Sequence, residues 1–181
     1  GHGGGRSTLP LVPAVVDAIA PVPVLAAGGI ADGRGLAAAL MLGAQGALLG
    51  TRFYASTEAL GHERAKRLIA DAHGGQTMRT RVFDIVRGYD WPEPFTGRAL
   101  RNDFARSWVG REDALSRDLH RQAKAFHAAA GEGDFDTAMV WAGEGVDLIP
   151  EVSDAGELVA RIGAEAEQQL RAAANWVSGA R

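Results

Sequence analysis

There is no cysteine among the 181 residues. That removes disulfide staples, thiolate nucleophiles and cysteine-ligated metals from consideration, and it fits a chain kept in a reducing compartment, so the cytoplasm is the expected location. No stretch approaches the roughly 18 consecutive apolar residues that a membrane-spanning helix needs. The opening GHGGGRSTLP has neither the charged nor the apolar region of a secretory signal. An excess of positive charge is missing as well. With 19 Lys and Arg against 22 Asp and Glu the net charge is −3, and no basic stripe is interleaved with aromatics, so nucleic acid is not an expected partner. No serine sits in a nucleophile elbow, GHGGG is not the dinucleotide fingerprint GxGxxG, and neither His62 with His73 nor His120 with His127 has the spacing of a metal-ligand pair.

What the chain has instead is glycine, 24 residues of it, and a hydrophobic fraction of 46% that allows a substantial core. Glycines punctuate one stretch above all, VLAAGGIADGRGLAAALMLGAQGALLGTRF from Val24 to Phe53, which reads as strand, turn, helix, strand, turn. Pro23 to Ala27 is a short apolar run without polar alternation, the pattern of a strand buried on both faces of a parallel sheet. Gly28-Gly29 ends it, Asp32 stands where a helix N-cap belongs, Leu36 to Leu42 are strong helix formers, and Gly43 is placed to end the helix. A second apolar run, Ala47-Leu48-Leu49, stops at Gly50-Thr51-Arg52-Phe53. Two strands joined by a helical crossover are parallel neighbours, so both glycine turns fall at strand carboxyl ends on one rim. In a (β/α)8 barrel that rim carries the active site, and its late loops present backbone N–H groups to ligand phosphates. A Cβ at such positions would hold an anion away from the backbone. One glycine turn is ordinary βαβ construction. Two on consecutive strand ends, the second carrying the Thr51 hydroxyl, point to a phosphate site.

Ahead of this unit, Gly1-His2-Gly3-Gly4-Gly5 is expected to be a loop, because four glycines in five residues favour neither helix nor strand. It leads into a helix, Leu9 to Ala20, whose apolar residues Leu9, Val12, Val15, Val16 and Ile19 recur at helical spacing before Pro21 and Pro23 stop it. A lone histidine is most often a surface or structural residue, but here glycines clear the space around the His2 ring and its loop belongs to the same rim. After Phe53, Thr57 to Ala72 reads as an amphipathic helix with Leu60, Ala65, Leu68 and Ile69 inward and Glu63 pairing outward with Lys66 or Arg67. Arg81 to Val86 is strand-like. The segment that follows holds Tyr89, Trp91, Pro92, Pro94, Phe95, Phe104 and Trp108, too apolar for a free linker, and is expected to fold over something. Glu112 to Ala130 and Phe135 to Trp141 read as helices, and Gly143 and Gly145 break the second. Ser153 is placed to cap a last helix with Leu158, Val159, Ile162, Ala166, Leu170 and Trp176 as its apolar stripe.

On these residues, AAGGIADGRG followed by LGAQGALLGTRF is similar to the nitronate monooxygenases, formerly called 2-nitropropane dioxygenases, which are FMN-dependent (β/α)8 barrels. Flavin-type enoyl-acyl carrier protein reductases share a similar pair of turns. The resemblance implies that Gly28, Gly29, Gly50 and Thr51 hold the FMN phosphate, with the backbone of Leu48 and Leu49 close by. The opening cluster resembles the family's glycine-glycine-histidine-x-glycine motif, whose histidine is the catalytic base, which puts that role on His2. It also implies the α/β fold class: the C-terminal part of a (β/α)8 barrel of the FMN-binding type with a mainly helical appended lid. Residues 1–56 would be the last barrel strands with the phosphate loops, 57–140 the substrate or lid domain, and 141–181 a C-terminal helix returning to the barrel. A glycine turn at Gly143 or Gly145 would come back to the flavin.

A barrel of this kind takes about 250 residues, and the chain opens without methionine inside a motif that should follow a strand, so a longer protein is expected. The implied substrates are a small nitronate and O2, the products a carbonyl compound and nitrite, with no metal. An imidazole of pKa near 6.5 can take the proton from the carbon beside a nitro group or hydrogen-bond to a nitronate, while the flavin does the redox step. The alternatives are an FMN-dependent enoyl reductase using NAD(P)H and a non-catalytic half-barrel, whose exposed apolar edges would favour a homodimer.

Overall fold

The computed structural model describes residues 1–179. Two small sheets organise it. The first is a parallel pair, β2 (Leu25–Ala27) and β3 (Gly46–Leu48), with Ala26 opposite Ala47 and the strands joined by helix α2 (Gly33–Met41). Asp32 caps α2 as its position demands, accepting a hydrogen bond from the Gly35 N–H at 3.0 Å. Helix α1 (Thr8–Ile19) precedes β2, and Val12, Ala26, Ala39 and Ala44 form a cluster between α1, α2 and one face of the pair. The other face is open: Leu25 and Leu48 are 61% and 62% exposed. Burial on both faces therefore holds for one face only, because both helices lie on the same side and no further strand curls over the other among the described residues.

The second sheet is antiparallel, in the order β1 (His2–Gly3), β5 (Thr96–Leu100), β4 (Thr77–Thr80). Of the glycine-rich opening expected as a loop, His2 and Gly3 are thus a strand, while Gly4 and Gly5 leave it as loop. Its register places His2 opposite Gly97, and the Arg98 N–H donates to the Gly1 carbonyl at 3.2 Å, so an existing strand edge compensates for the poor strand propensity of glycine. β5 also pairs with the segment around Trp141: the Leu100 N–H donates to the Val140 carbonyl at 2.9 Å and the Ala142 N–H to the Arg98 carbonyl at 3.1 Å. Residues 135–141, read from sequence as a helix, make a single turn, in which the Ala138 N–H donates to the Asp134 carbonyl at 2.9 Å and the Asn102 amide to the carbonyls of Phe135 at 3.1 Å and Ala138 at 2.9 Å, and then run to Trp141 along β5.

The remaining elements are α3 (Gly50–Tyr54), α4 (Glu63–Ala70), α5 (Val82–Val86), α6 (Asp103–Trp108), α7 (Glu112–Arg117), α8 (Leu119–Glu132) and α9 (Ala155–Ser178). The strand-like run after Arg81 is helix α5, because the Thr80 hydroxyl accepts from the Val82 N–H at 3.1 Å and turns the chain; Val82, Phe83 and Val86 then enter a core with Phe104, Leu115 and Phe126. The single helix expected over Glu112 to Ala130 breaks at Asp118, whose carboxylate is taken by Arg121 at 2.9 Å and Gln122 at 2.8 Å. α4 starts later than expected, so Leu60 is fully exposed while Lys66 is buried, its ammonium donating to the Thr57 carbonyl at 3.0 Å and to Glu63 at 2.7 Å. The cap of α9 is Asp154, not Ser153, and the buried stripe is the narrower set Leu158, Ile162 and Ala166, with Val159 and Trp176 in solvent. α9 lies along α2, where the Gly33 N–H donates to Glu165 at 3.0 Å; a Cβ on Gly33 would run into Glu165 and the backbone of Ala166.

Asn102 ties three of these features together, since its side-chain oxygen also caps α6 through the Ala105 N–H at 2.9 Å. Asn102→Ala should cost about 3 kcal/mol, the loss of a cap plus two buried carbonyls left without donors. Urea unfolding should show a lower midpoint at unchanged slope; an unchanged midpoint would mean that these bonds hold nothing.

Candidate active site

Both glycine turns leave the carboxyl ends of β2 and β3, as their place in the chain requires. Gly28 and Gly29 have φ of +109° and +74°, and the Thr8 hydroxyl at the start of α1 donates to the Gly28 carbonyl at 2.9 Å. A Cβ on Gly29 or on Gly50 would meet no protein atom within 4 Å. The backbone at both places faces open space of the kind a bound group would fill. Gly50 is the first residue of α3, so the second turn is the start of a short helix. Leu49, its N-cap, has no side-chain oxygen to offer, and no side chain caps that first turn. Uncapped N–H groups at a helix start are suited to an anion. The Thr51 hydroxyl accepts from the Gly143 N–H at 3.0 Å, which leaves its own proton free to donate.

His2 is held from three sides. Its Nε2 lies 2.9 and 2.8 Å from the two oxygens of Asp84, which is 2% exposed. Its ring stacks on Trp91 with centroids 4.0 Å apart and planes 7° from parallel, and Trp141 tilts against it at 5.2 Å. The aromatic segment expected to fold over something therefore covers the histidine. Gly97, opposite His2, makes room: a Cβ there would overlap the Trp141 ring and come within 3.2 Å of Nε2. Asp84 has a signal in the sequence, a carboxylate inside the apolar run Val82-Phe83-Asp84-Ile85-Val86, which cannot be buried without a partner.

One strap links these pieces. From Trp141, beside His2, the chain runs to Gly143, bonded to Thr51, and to Gly145, where a Cβ would lie 3.1 Å from the Gly29 carbonyl. Four steps of about 3.8 Å span no more than roughly 15 Å, so the histidine and both turns lie within reach of one elongated ligand. Another cluster sits beside the second turn. Arg52 is 1% exposed and donates to the Glu151 carbonyl at 2.8 Å and the Ser153 hydroxyl at 2.9 Å. Burial, and then Arg161, pull its guanidinium below the ordinary arginine value, against the opposing pull of Glu151. A cavity of about 360 Å³ there is lined by Asp32, Arg34, Arg52, Arg161 and Glu165 among others, and by none of the turn glycines. Burial alone would raise the Asp32 carboxyl, but the Gly35 N–H and the Arg34 guanidinium outweigh it and hold it below its ordinary value. Among the described residues there is no cluster of His, Asp and Glu placed for a metal, and no helix long and apolar enough to cross a membrane.

Parallel strands that alternate with helices and end in paired glycine turns are the construction of a (β/α)8 barrel, of which this chain holds a part. The chain belongs to the nitronate monooxygenase family, whose model matches residues 1–165. Members of that family are FMN-dependent flavoprotein oxidoreductases with this barrel fold. A nitronate monooxygenase of Metarhizium robertsii is 40% identical over 171 residues, 88% of this chain and 47% of that protein. One from Neurospora crassa is 34% identical, with 92% and 45% covered. Among solved structures, FabK from Thermotoga maritima has a TM-score of 0.82 at 31% identity, with 97% of this chain and 54% of that one covered. Nitroalkane oxidase from Streptomyces ansochromogenes has a TM-score of 0.75 at 33% identity, with 92% and 45% covered. The chain spans about half the length of the curated relatives it matches.

Thr51→Val keeps the shape of the second turn and removes the acceptor of the strap. The Gly143 amide should then exchange with solvent about fivefold faster, the equivalent of one hydrogen bond of about 1 kcal/mol. Unchanged protection would show that Thr51 does not hold the strap.

Proposed function

We propose that this chain is the flavin-phosphate and base-bearing part of an FMN-dependent nitronate monooxygenase. The observation that carries the reading is the strap, which brings His2, Thr51 and Gly29 into one site of a family member. The residues present fit the group: open backbone at Gly29 and Gly50 takes a phosphate, the N–H groups of Leu49, Gly50 and Thr51 bind its oxygens together with the Thr51 hydroxyl, and Gly28 gives the turn its shape. FMN, when bound, supplies the redox chemistry by which a nitronate and O2 become a carbonyl compound and nitrite. His2 receives the proton from the carbon beside the nitro group of a neutral substrate, and only in its protonated form does it donate a hydrogen bond to a nitronate. Trp91 and Trp141 exclude water from one side of its ring.

The likeness to FabK supports a second reading, an enoyl-acyl carrier protein reductase that draws on NAD(P)H at the same FMN site. Assays of the complete barrel separate the two: oxygen uptake with small nitronates selects the first, and NAD(P)H oxidation dependent on an enoyl thioester selects the second. FMN titration of the 181-residue chain, followed by flavin fluorescence, should saturate, and Gly50→Leu should abolish it. If affinity survived that substitution, the phosphate would be bound elsewhere. His2→Ala should leave FMN affinity intact and cut turnover of neutral nitroalkanes by about 10²–10⁴-fold, the usual contribution of a general base, with preformed nitronates much less affected.

A further inference from the structure

We infer that Asp84 is the positioning residue of His2, and that it fixes the ring as the tautomer with hydrogen on Nε2 and a free lone pair on Nδ1. The inference rests on the reading of His2 as the base and names which of its nitrogens acts. Both oxygens of Asp84 face Nε2, at 2.9 and 2.8 Å. A carboxylate offers only acceptors, so the nitrogen it faces carries the hydrogen. The Asp84 side chain has no other hydrogen-bond partner among the described residues, although it is buried at 2% exposure. Burying a carboxylate is costly unless it is paired, and the one group that pairs it is the imidazole. His2 Nδ1, in contrast, has no partner among the described residues, and no buried side-chain polar atom there lacks one, so Nδ1 reaches solvent. One nitrogen is spent inside the protein and the other is left open.

The surroundings keep the ring in that orientation. Trp91, stacked at 4.0 Å and 7°, blocks rotation out of the plane. β1 fixes the histidine backbone opposite Gly97, whose missing side chain lets Trp141 and Nε2 approach. Asp84 itself stands on α5, where Val82, Phe83 and Val86 pin the helix in the core. Among the described residues the carboxylate therefore bonds only the base, and it acts on substrate only through Nδ1.

Two measurements test this. In the 181-residue chain with nitrogen-15-labelled histidine, long-range proton–nitrogen spectra at pH 9 should show the His2 proton on Nε2 and a bare Nδ1, with the Nε2 proton exchanging slowly; His2→Gln identifies the signals. In Asp84→Asn, whose amide can donate as well as accept, the two nitrogen shifts should move towards a tautomer mixture and the slow proton should vanish. A proton on Nδ1 in the unaltered chain would overturn the inference without any variant, so a poorly folding Asp84→Asn does not rescue it. In the complete barrel, Asp84→Asn should lower turnover of a neutral nitroalkane by about 10²-fold or more, as expected of a mis-set base. FMN affinity and turnover of the preformed nitronate should stay within a few fold, a split that a purely structural residue would not produce. Loss with His2→Ala but none with Asp84→Asn refutes the positioning role. No loss with His2→Ala refutes the base itself, and the spectra then still decide whether Asp84 sets the tautomer.

Discussion

The arrangement depends on a short length of backbone laid against β5. Val140 and Ala142 exchange hydrogen bonds with Leu100 and Arg98, and that pairing decides where Trp141, Gly143 and Gly145 fall. One of them touches the histidine, the next bonds Thr51, and the last closes on Gly29. Two sheets that share no strand are thereby brought to one site by a segment that belongs to neither. Its hydrogen bonds are individually modest, about 1 kcal/mol each, but each one fixes the starting point of the next contact.

His2 shows how much of a functional side chain's behaviour is set at a distance. Its own neighbours in sequence are glycines, which give it room and no orientation. Orientation comes from Asp84 on α5, from Trp91 in the proline-rich segment and from Trp141 on the strap, all more than eighty residues away in the chain. Arg52 does the corresponding work at the other end, tying the start of α3 to Glu151 and Ser153 ahead of α9. Chain from both halves of the molecule is needed to hold two residues that stand near its beginning.

The parts legible in the sequence are those governed by local rules. Asp32 caps α2 because it precedes a helical run, and the glycine turns follow the strands because an apolar run must end somewhere. The family resemblance rested on these same local units, and the matched family model bears it out. What stayed hidden was non-local. No propensity places His2-Gly3 in a strand; an available edge on β5 does. Residues 135–141 have helical composition, yet they make only one turn, fastened by Asn102, before β5 takes up the end of the segment. Lys66 looks like a surface residue at pairing distance from Glu63, and it is buried because the carbonyl of Thr57 awaits it. Asp84 could have been found, since an acid inside an apolar pentapeptide announces a partner, but nothing in the sequence says that the partner is a histidine eighty-two positions away.

The notch at Gly33 has a consequence for how the gene can vary. α9 rests on α2 where that residue has no side chain, with Leu158, Ile162 and Ala166 turned inward. A helix advances about 100° per residue, so a single codon gained or lost between the cap at Asp154 and Leu158 would rotate all three out of the contact and press a different side chain into the notch. Length drift is harmless in an exposed loop such as the one around Leu60. In the first turn of α9 it is not, and descendants of this chain are free to change the letters of that segment far more readily than their number.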